Sequence, residues 1–323
     1  MIKLEKIQKI KDKRFLFKVE ISENPEDYKK YEELRYEVWG DPEDNLPGKR
    51  NMNNENFFNL GSCLFIGVYC EDENCRLRED PTHFIGFSYG FVTVKDKEVA
   101  FRRADNIIFY SLYTAVKKDF RNYGLGILIK EFQREIVLEV FGIQAITCTY
   151  DPLTGTNAYR NIHHFGMEVL EYKKALYKDF AGNLNRLDIP CDRFYVFWDL
   201  KKKAEKPNYD LDFLIKSENL AVSSDVIDIK GRTRPLALEV VKKINLGLDN
   251  DFLLIEIPYD FYLMLQETVV PQKEIRNIPL QWRMATRKAF ETYLKRGYKI
   301  VDFRWYIIGN RKRDFYVLKK KLS

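Results

Sequence analysis

Histidine and cysteine are both scarce in this chain, at three and five residues among 323. The cysteines, Cys63, Cys70, Cys75, Cys148 and Cys191, are odd in number and form no C-x-x-C. That argues against a disulfide framework and against a zinc site, so no metal is expected. Cys70 and Cys75 share a polar stretch and could pair if oxidised, but free thiols in a reducing compartment fit the pattern better. No stretch approaches the roughly 20 apolar residues of a membrane span. The amino terminus, Met1-Ile2-Lys3-Leu4-Glu5-Lys6, alternates charged with apolar residues and lacks the apolar core of a signal peptide. A cytoplasmic protein with no membrane association is the expectation. One-signed charge is also missing: 54 basic against 48 acidic residues leave +6. Such an excess suits a polyanionic small molecule, and weak nucleic-acid affinity equally well. Part of it sits in Lys201-Lys202-Lys203 and Lys319-Lys320-Lys321, the kind of run that usually forms a solvated end, so no nucleic-acid partner is expected.

What is present is apolar and aromatic bulk, 45% and 15% of the chain, enough for one large domain or two of moderate size. Phe15 to Ile21 alternates as a strand does, and Asn24-Pro25-Glu26 opens a helix carrying Tyr28, Tyr31, Leu34, Arg35 and Val38. Residues 40–56 read as a polar loop, with a short helix around Phe57. Cys63 to Cys70 and Phe84 to Val94 read as strands around a charged insertion. Ile107 to Val116 is apolar on both faces, as a central strand covered by helices would be. Leu125, Leu128, Phe132, Ile136 and Val140 then recur at helical spacing over Gly124 to Phe141. Ile143 to Tyr150 is the next strand, followed by a short helix from Asn157 to Phe165 with Gly166 at its end. Met167 to Tyr177 and Phe194 to Leu200 close the pattern as an antiparallel pair.

Residues 201–234 are charged and weakly periodic, and read as a linker between a domain of residues 1–200 and a second part, 235–323. The second part reads strand (Phe252 to Ile257), helix (Gln281 to Arg296), strand and strand (Tyr298 to Tyr306, Phe315 to Lys319). That order repeats the order from Ile143 to Leu200, and Arg296-Gly297-Tyr298 echoes Phe165-Gly166-Met167. Two explanations stand: a half-copy of the first domain without its glycine loop, or chance recurrence of a common β-α-β-β unit.

The chemistry is concentrated between the central strand and its helix. Arg121-Asn122-Tyr123-Gly124-Leu125-Gly126 is a basic glycine loop opening into a helix. Amides at a helix start lack intrahelical acceptors and lie at the positive end of the dipole. Glycines there let phosphate oxygens approach without a Cβ in the way. Arg121, with Lys117 and Lys118, adds cations for a pyrophosphate. The plain alternative is a glycine turn before an ordinary helix.

Arg121-x-x-Gly124-x-Gly126 resembles the signature of the GNAT superfamily of acyl-CoA N-acyltransferases, [RQ]-x-x-G-x-[GA], between the expected strand and helix. Asp151-Pro152-Leu153, Asn157-Ala158, Asn161, His163 and Phe165-Gly166 are similar to one poorly characterised bacterial and archaeal subfamily. So are Arg35-Tyr36-Glu37-Val38-Trp39-Gly40, Glu256-Ile257-Pro258-Tyr259-Asp260 and Trp282-Arg283-Met284-Ala285-Thr286-Arg287. The resemblance implies an α/β (α+β) GNAT fold, a mixed central sheet flanked by helices, with a half-GNAT-like β-α-β-β extension.

It also implies acetyl-CoA or another acyl-CoA as co-substrate. The pyrophosphate would lie on the amides of Asn122, Tyr123, Gly124, Leu125 and Gly126, and the pantetheine would pair like a strand along Leu112, Tyr113, Thr114, Ala115 and Val116. Asn157 would hold the pantetheine through its amide, although asparagine is also a good helix cap. Many relatives place a tyrosine four residues before the helix-ending glycine to protonate the leaving thiolate. Here Ile162 stands there, so His163 and Tyr159 become the candidate donors, histidine because it titrates near neutrality. Either could instead be a packing residue.

Glu33, Glu37 and Asp151 are candidate bases for the amine, with water held by backbone as another option. Tyr36, Trp39, Phe58, Tyr89 and Tyr113 are candidate walls of an acceptor pocket. The expected activity is transfer of acetyl or succinyl to a primary amine of a small metabolite or amino acid, by direct attack in a ternary complex. The other class of reading is an acyl-CoA sensor without turnover. A homodimer is left open.

Overall fold

A computed structural model describes residues 3–40, 51–177, 182–216 and 219–321, so residues 41–50 of the expected polar loop lie outside the described residues. The chain divides into two units, one of residues 1–148 with 199–201, the other of residues 149–198 with 202–323.

In the first unit β1 (Glu5–Ile10) and β2 (Lys13–Val19) form a hairpin, followed by α1 (Lys29–Trp39) and α2 (Met52–Glu55). Then come β3 (Cys63–Cys70), β4 (Phe84–Val94), β5 (Ile107–Val116), α3 (Leu125–Glu139) and β6 (Ala145–Tyr150). The strands lie in the order β1-β2-β3-β4-β5-β6, antiparallel from β1 to β5 and parallel between β5 and β6. Alternation along β2 sorts its apolar side chains between two faces. Leu16 joins Tyr31, Leu34, Phe65 and Phe87 under α1, while Phe17 meets Phe132 of α3 with ring centroids 6.3 Å apart. Helices on both faces explain why β3 is buried along its whole length.

The second unit holds α4 (Gly155–Ala158), which runs into a π-helical turn (Tyr159–His164), and then the antiparallel pair β7 (Glu168–Lys173) and β8 (Arg193–Asp199). After α5 (Leu211–Lys216) come β9 (Leu220–Lys230), β10 (Pro235–Ile244), β11 (Phe252–Ile257), α6 (Phe261–Glu267), α7 (Lys273–Arg276), α8 (Ile278–Lys295), β12 (Tyr298–Ile308) and β13 (Arg311–Lys320). These five strands form a sheet ordered β10-β9-β11-β13-β12, against which α8 buries Trp282, Ala289, Phe290 and Tyr293.

The segment 201–234, expected to be a linker, therefore contains α5 and all of β9. Strand β9 reads LAVSSDVIDIK and buries few of its residues, so its polar positions hide the period from the sequence. The expected strand-helix-strand-strand order of the C-terminal part is present, preceded by the β9–β10 hairpin that the sequence reading lacked. Its last hairpin shares a detail with β7–β8. Gly166 and Gly297 both take positive φ, +64° and +84°. Four residues after each, Leu170 and Val301 are left out of the ladder as bulges.

Candidate functional site

The glycine loop is built as its composition asks. After β5 the chain makes a 3-10 turn over Lys118–Tyr123, and Gly124 at φ +71° starts α3. A residue with a Cβ would be strained in that left-handed conformation, although a Cβ there would meet open space. The Gly124 carbonyl accepts from Ile127 and Leu128, at 3.0 and 3.5 Å, so the amides of Leu125 and Gly126 precede the first helical bonds. Leu125 is fully buried and anchors the turn. Tyr123 packs its ring against Phe15, 5.3 Å between centroids, which leaves its backbone as the part available for an anion. Arg121 and Lys118 are exposed.

Strand β5 presents the second feature. On one edge it is paired with β4 along its length, with Leu112 bulged out opposite Tyr89 and Gly90. On the other edge its pairing with β6 consists of Phe109 with Ile146 and Tyr110 with Thr147. These two pairs lie in the first half of β5, ahead of Leu112, Tyr113, Thr114, Ala115 and Val116. A peptide-like arm could satisfy that edge as a strand would. Behind β5 runs a buried polar chain: the Lys130 ammonium donates to Ser111 Oγ at 2.5 Å, and Gln133 donates to Ser88 Oγ at 2.6 Å.

A small cleft with room of about 10 Å³ lies beside β5 in the same unit, walled by Tyr31, Phe65, Phe87, Tyr89 and Tyr113 with Met52, Glu32 and Arg35. Two of the expected wall residues, Tyr89 and Tyr113, line it, and Trp39 packs against Tyr113 at a tilt, ring centroids 5.1 Å apart. Tyr36 points to solvent and Phe58 packs on Phe57, so neither lines it. The candidate bases Glu33 and Glu37 also lie on the exposed face of α1. The helix turns 100° per residue, and this places Glu32 on the cleft wall in their stead. Glu32 accepts from Arg35 at 3.0 Å, and Glu55 accepts from the Tyr89 hydroxyl at 3.2 Å. The exposed-or-buried phase of α1 was the signal that could have found Glu32.

The remaining candidates belong to the second unit. Asp151 is buried, and both its oxygens accept from Arg283, at 2.9 and 2.5 Å, with Arg193 adding a bond at 3.2 Å. Burial pushes its carboxyl pKa up, but Arg283 and Arg193 outweigh burial and hold it below the ordinary range. A carboxylate held charged by two guanidinium groups is a weak base, so the expectation of Asp151 as a base is corrected to a structural ion pair. Asn157 is not a helix cap: Thr154 occupies that position, and the Asn157 side chain donates to Thr154 and accepts from Arg160.

His163 and Tyr159 share the π-helical turn, their rings 4.7 Å apart. His163 Nδ1 lies 2.7 Å from Asp302 Oδ1, and Asp302 Oδ2 accepts from the Tyr209 hydroxyl at 2.7 Å. Neither Asp302 nor Tyr209 was foreseen. Ile162, where relatives of the resembled family carry tyrosine, is buried.

No protein-family model and no curated protein matches the sequence. Solved structures do match. Arabidopsis thaliana NAA60 with acetyl-CoA is 12% identical, aligned over 57% of this chain and 99% of its own, at a TM-score of 0.40. Ribosomal-protein-S5-alanine acetyltransferase from Vibrio fischeri is 10% identical over 62% and 99%, at 0.38. Mutant forms of the spermidine/spermine N-acetyltransferase SpeG from Vibrio cholerae are 7% identical over 56% and 93%, at 0.38.

Among the described residues no three His, Cys, Asp or Glu side chains gather to hold a metal, and no helix is long and apolar enough to cross a membrane. None of the five cysteines forms a disulfide, with Cys75 exposed and Cys148 buried.

Proposed function

We propose that the chain is an N-acyltransferase of GNAT type, moving an acetyl or succinyl group from coenzyme A to a primary amine of a small metabolite or amino acid. The observation that carries this reading is the joint presence, in one unit, of the left-handed Gly124 loop and a β5 strand whose pairs with β6 lie in its first half. The loop offers amides and a helix dipole to a diphosphate. The edge of β5 beyond Tyr110 offers a strand's backbone to a pantetheine amide chain, and the Arg121-x-x-Gly124-x-Gly126 residues that resemble the family signature fall on the loop.

In this reading Leu125 and Gly126 hold the diphosphate by their amides, Arg121 and Lys118 add charge, and Tyr113 to Val116 pair with the pantetheine. The amine approaches beside β5, where Glu32 on the cleft wall is placed to attract the ammonium and accept its proton. Attack is direct, since Cys148 is buried and serves no covalent intermediate. His163 gives the leaving sulfur its proton, with Tyr159 stacked on its ring. Asn157 belongs to the pantetheine side by resemblance.

The buried Ile162 favours one other reading, a sensor that binds acyl-CoA without turnover. Incubation with acetyl-CoA or succinyl-CoA and an amine library, following release of free thiol, separates the two. Thiol release dependent on amine supports the transferase. Binding without release across the library overturns it in favour of the sensor.

A further inference from the structure

We propose that Asp302 is a positioning residue for His163, fixing Nδ1 as the hydrogen-bearing nitrogen and leaving Nε2 to exchange the proton in acyl transfer. This rests on the reading of His163 as proton donor and names a group that no local motif marks. A carboxylate only accepts, so the 2.7 Å contact between Asp302 Oδ1 and His163 Nδ1 places a hydrogen on that nitrogen. The carboxylate is itself held: the Tyr209 hydroxyl donates to Oδ2 at 2.7 Å and the Phe303 amide to Oδ1 at 2.8 Å.

Asp302 is 2% exposed, whereas the His163 side chain is 18% exposed, so the acid is sealed behind an imidazole that keeps an outlet. The local backbone is irregular at both partners. His163 lies in a π-helical turn, and Asp302 follows the bulge at Val301, and both devices re-aim side chains. The other groups near the pair are Tyr159, stacked on the imidazole, Lys206, bonded to the His163 carbonyl, and Arg304, whose charge reaches Tyr209 and Lys206. Burial, the Asp302 bond and the Asp302 charge push the Tyr209 hydroxyl far above its ordinary range, so it remains a donor to Asp302 at every working pH.

During transfer the amine nitrogen forms the new C–N bond and the C–S bond breaks. The sulfur leaves with the proton from Nε2, and the imidazole is reprotonated by one of the protons that the ammonium group loses. Nitrogen, sulfur and protons balance without a further reactant. The Asp302 carboxylate holds the ring by Nδ1 and so keeps Nε2 turned away from it.

With three histidines in the chain, imidazole 15N spectra can report on His163 directly, assigned by its loss in His163→Ala. Wild-type protein is expected to show the Nδ1–H form when neutral. Asp302→Asn should disturb that tautomer. In turnover, Asp302→Asn should reduce kcat at least tenfold and leave KM for acyl-CoA within twofold. Tyr209→Phe should reproduce the loss of kcat in weaker form. An Nε2–H tautomer in wild type, or an unchanged tautomer and kcat in a folded Asp302→Asn, overturns the assignment. If the wild type binds acyl-CoA but transfers nothing, the acyltransferase reading fails while the spectra still decide whether Asp302 orients His163.

Discussion

Asp151 and Arg283 face each other as a two-pronged pair sealed from solvent, with Arg283 Nη1 to Asp151 Oδ1 at 2.9 Å and Nη2 to Oδ2 at 2.5 Å. Removing one partner of a buried pair leaves a charge that water cannot reach, at a cost of about 3–5 kcal/mol. Arg283→Met is expected to destabilise the second unit by about that amount in urea unfolding. Asp151→Asn with Arg283→Met should cost less than the sum of the singles, because the stranded charge is gone. A loss under 1 kcal/mol in the single variant would show that Arg193 alone satisfies Asp151. The carboxyl pKa is lowered in the fold, so this stabilisation is present above the unfolded value and lost as pH falls through the folded one.

Asp314 carries the opposite sign. It is buried, and its nearest cation, the Lys312 ammonium, is 3.7 Å away. Burial raises its pKa from 3.8 to about 6. Between those values the folded state holds a proton that the unfolded chain has released, so stability falls as pH rises through that window. Two pKa units correspond to about 3 kcal/mol. Asp314→Asn should therefore gain on the wild type by up to about that much from pH 4 to pH 7, read as the difference in unfolding free energy across pH. A flat difference would refute it.

The sequence made some elements legible and hid others for physical reasons. Helix α3 announced itself because Leu125, Leu128, Phe132 and Ile136 recur at 3.6-residue spacing, and β11 because six apolar or paired positions run unbroken between polar loops. Strand β1 was missed: it is an edge strand with no buried residue, so its charged positions carry no inward face. Strands β9 and β10 were missed for a related reason, each burying only a few side chains. The glycine loop could be read locally because its parts are adjacent in the chain. Asp302 could not, since it meets His163 across 139 residues, and Arg283 meets Asp151 across 132. Such pairs leave no period behind.

Glu32 tests the acceptor cleft. It lines the wall beside Tyr89 and Tyr113, while Glu33 lies on the outer face of α1. If Glu32 meets the ammonium, Glu32→Gln removes a charge-assisted bond worth about 1.5–3 kcal/mol, or about 10- to 100-fold in kcat/KM for the amine. The Kd for acyl-CoA should stay within twofold, and Glu33→Gln should change neither. Equal effects from both variants would indicate general surface charge and remove the cleft from the site.

Gly124 separates conformation from space. A Cβ at this position meets nothing within 4 Å, so Gly124→Ala is opposed only by its φ of +71°, a strain of about 1–2 kcal/mol. The variant should fold, keep α3 by circular dichroism, and bind coenzyme A a few-fold more weakly as the loop relaxes. Gly124→Glu adds bulk and a negative charge in that same open space, where the diphosphate would lie, and is expected to weaken binding by more than 100-fold in calorimetry, about 3 kcal/mol. Wild-type affinity should also fall with added salt, because Arg121 and Lys118 are exposed and their attraction is screened. Undiminished binding by Gly124→Glu would place the diphosphate elsewhere and take the carrying observation away from the acyltransferase reading.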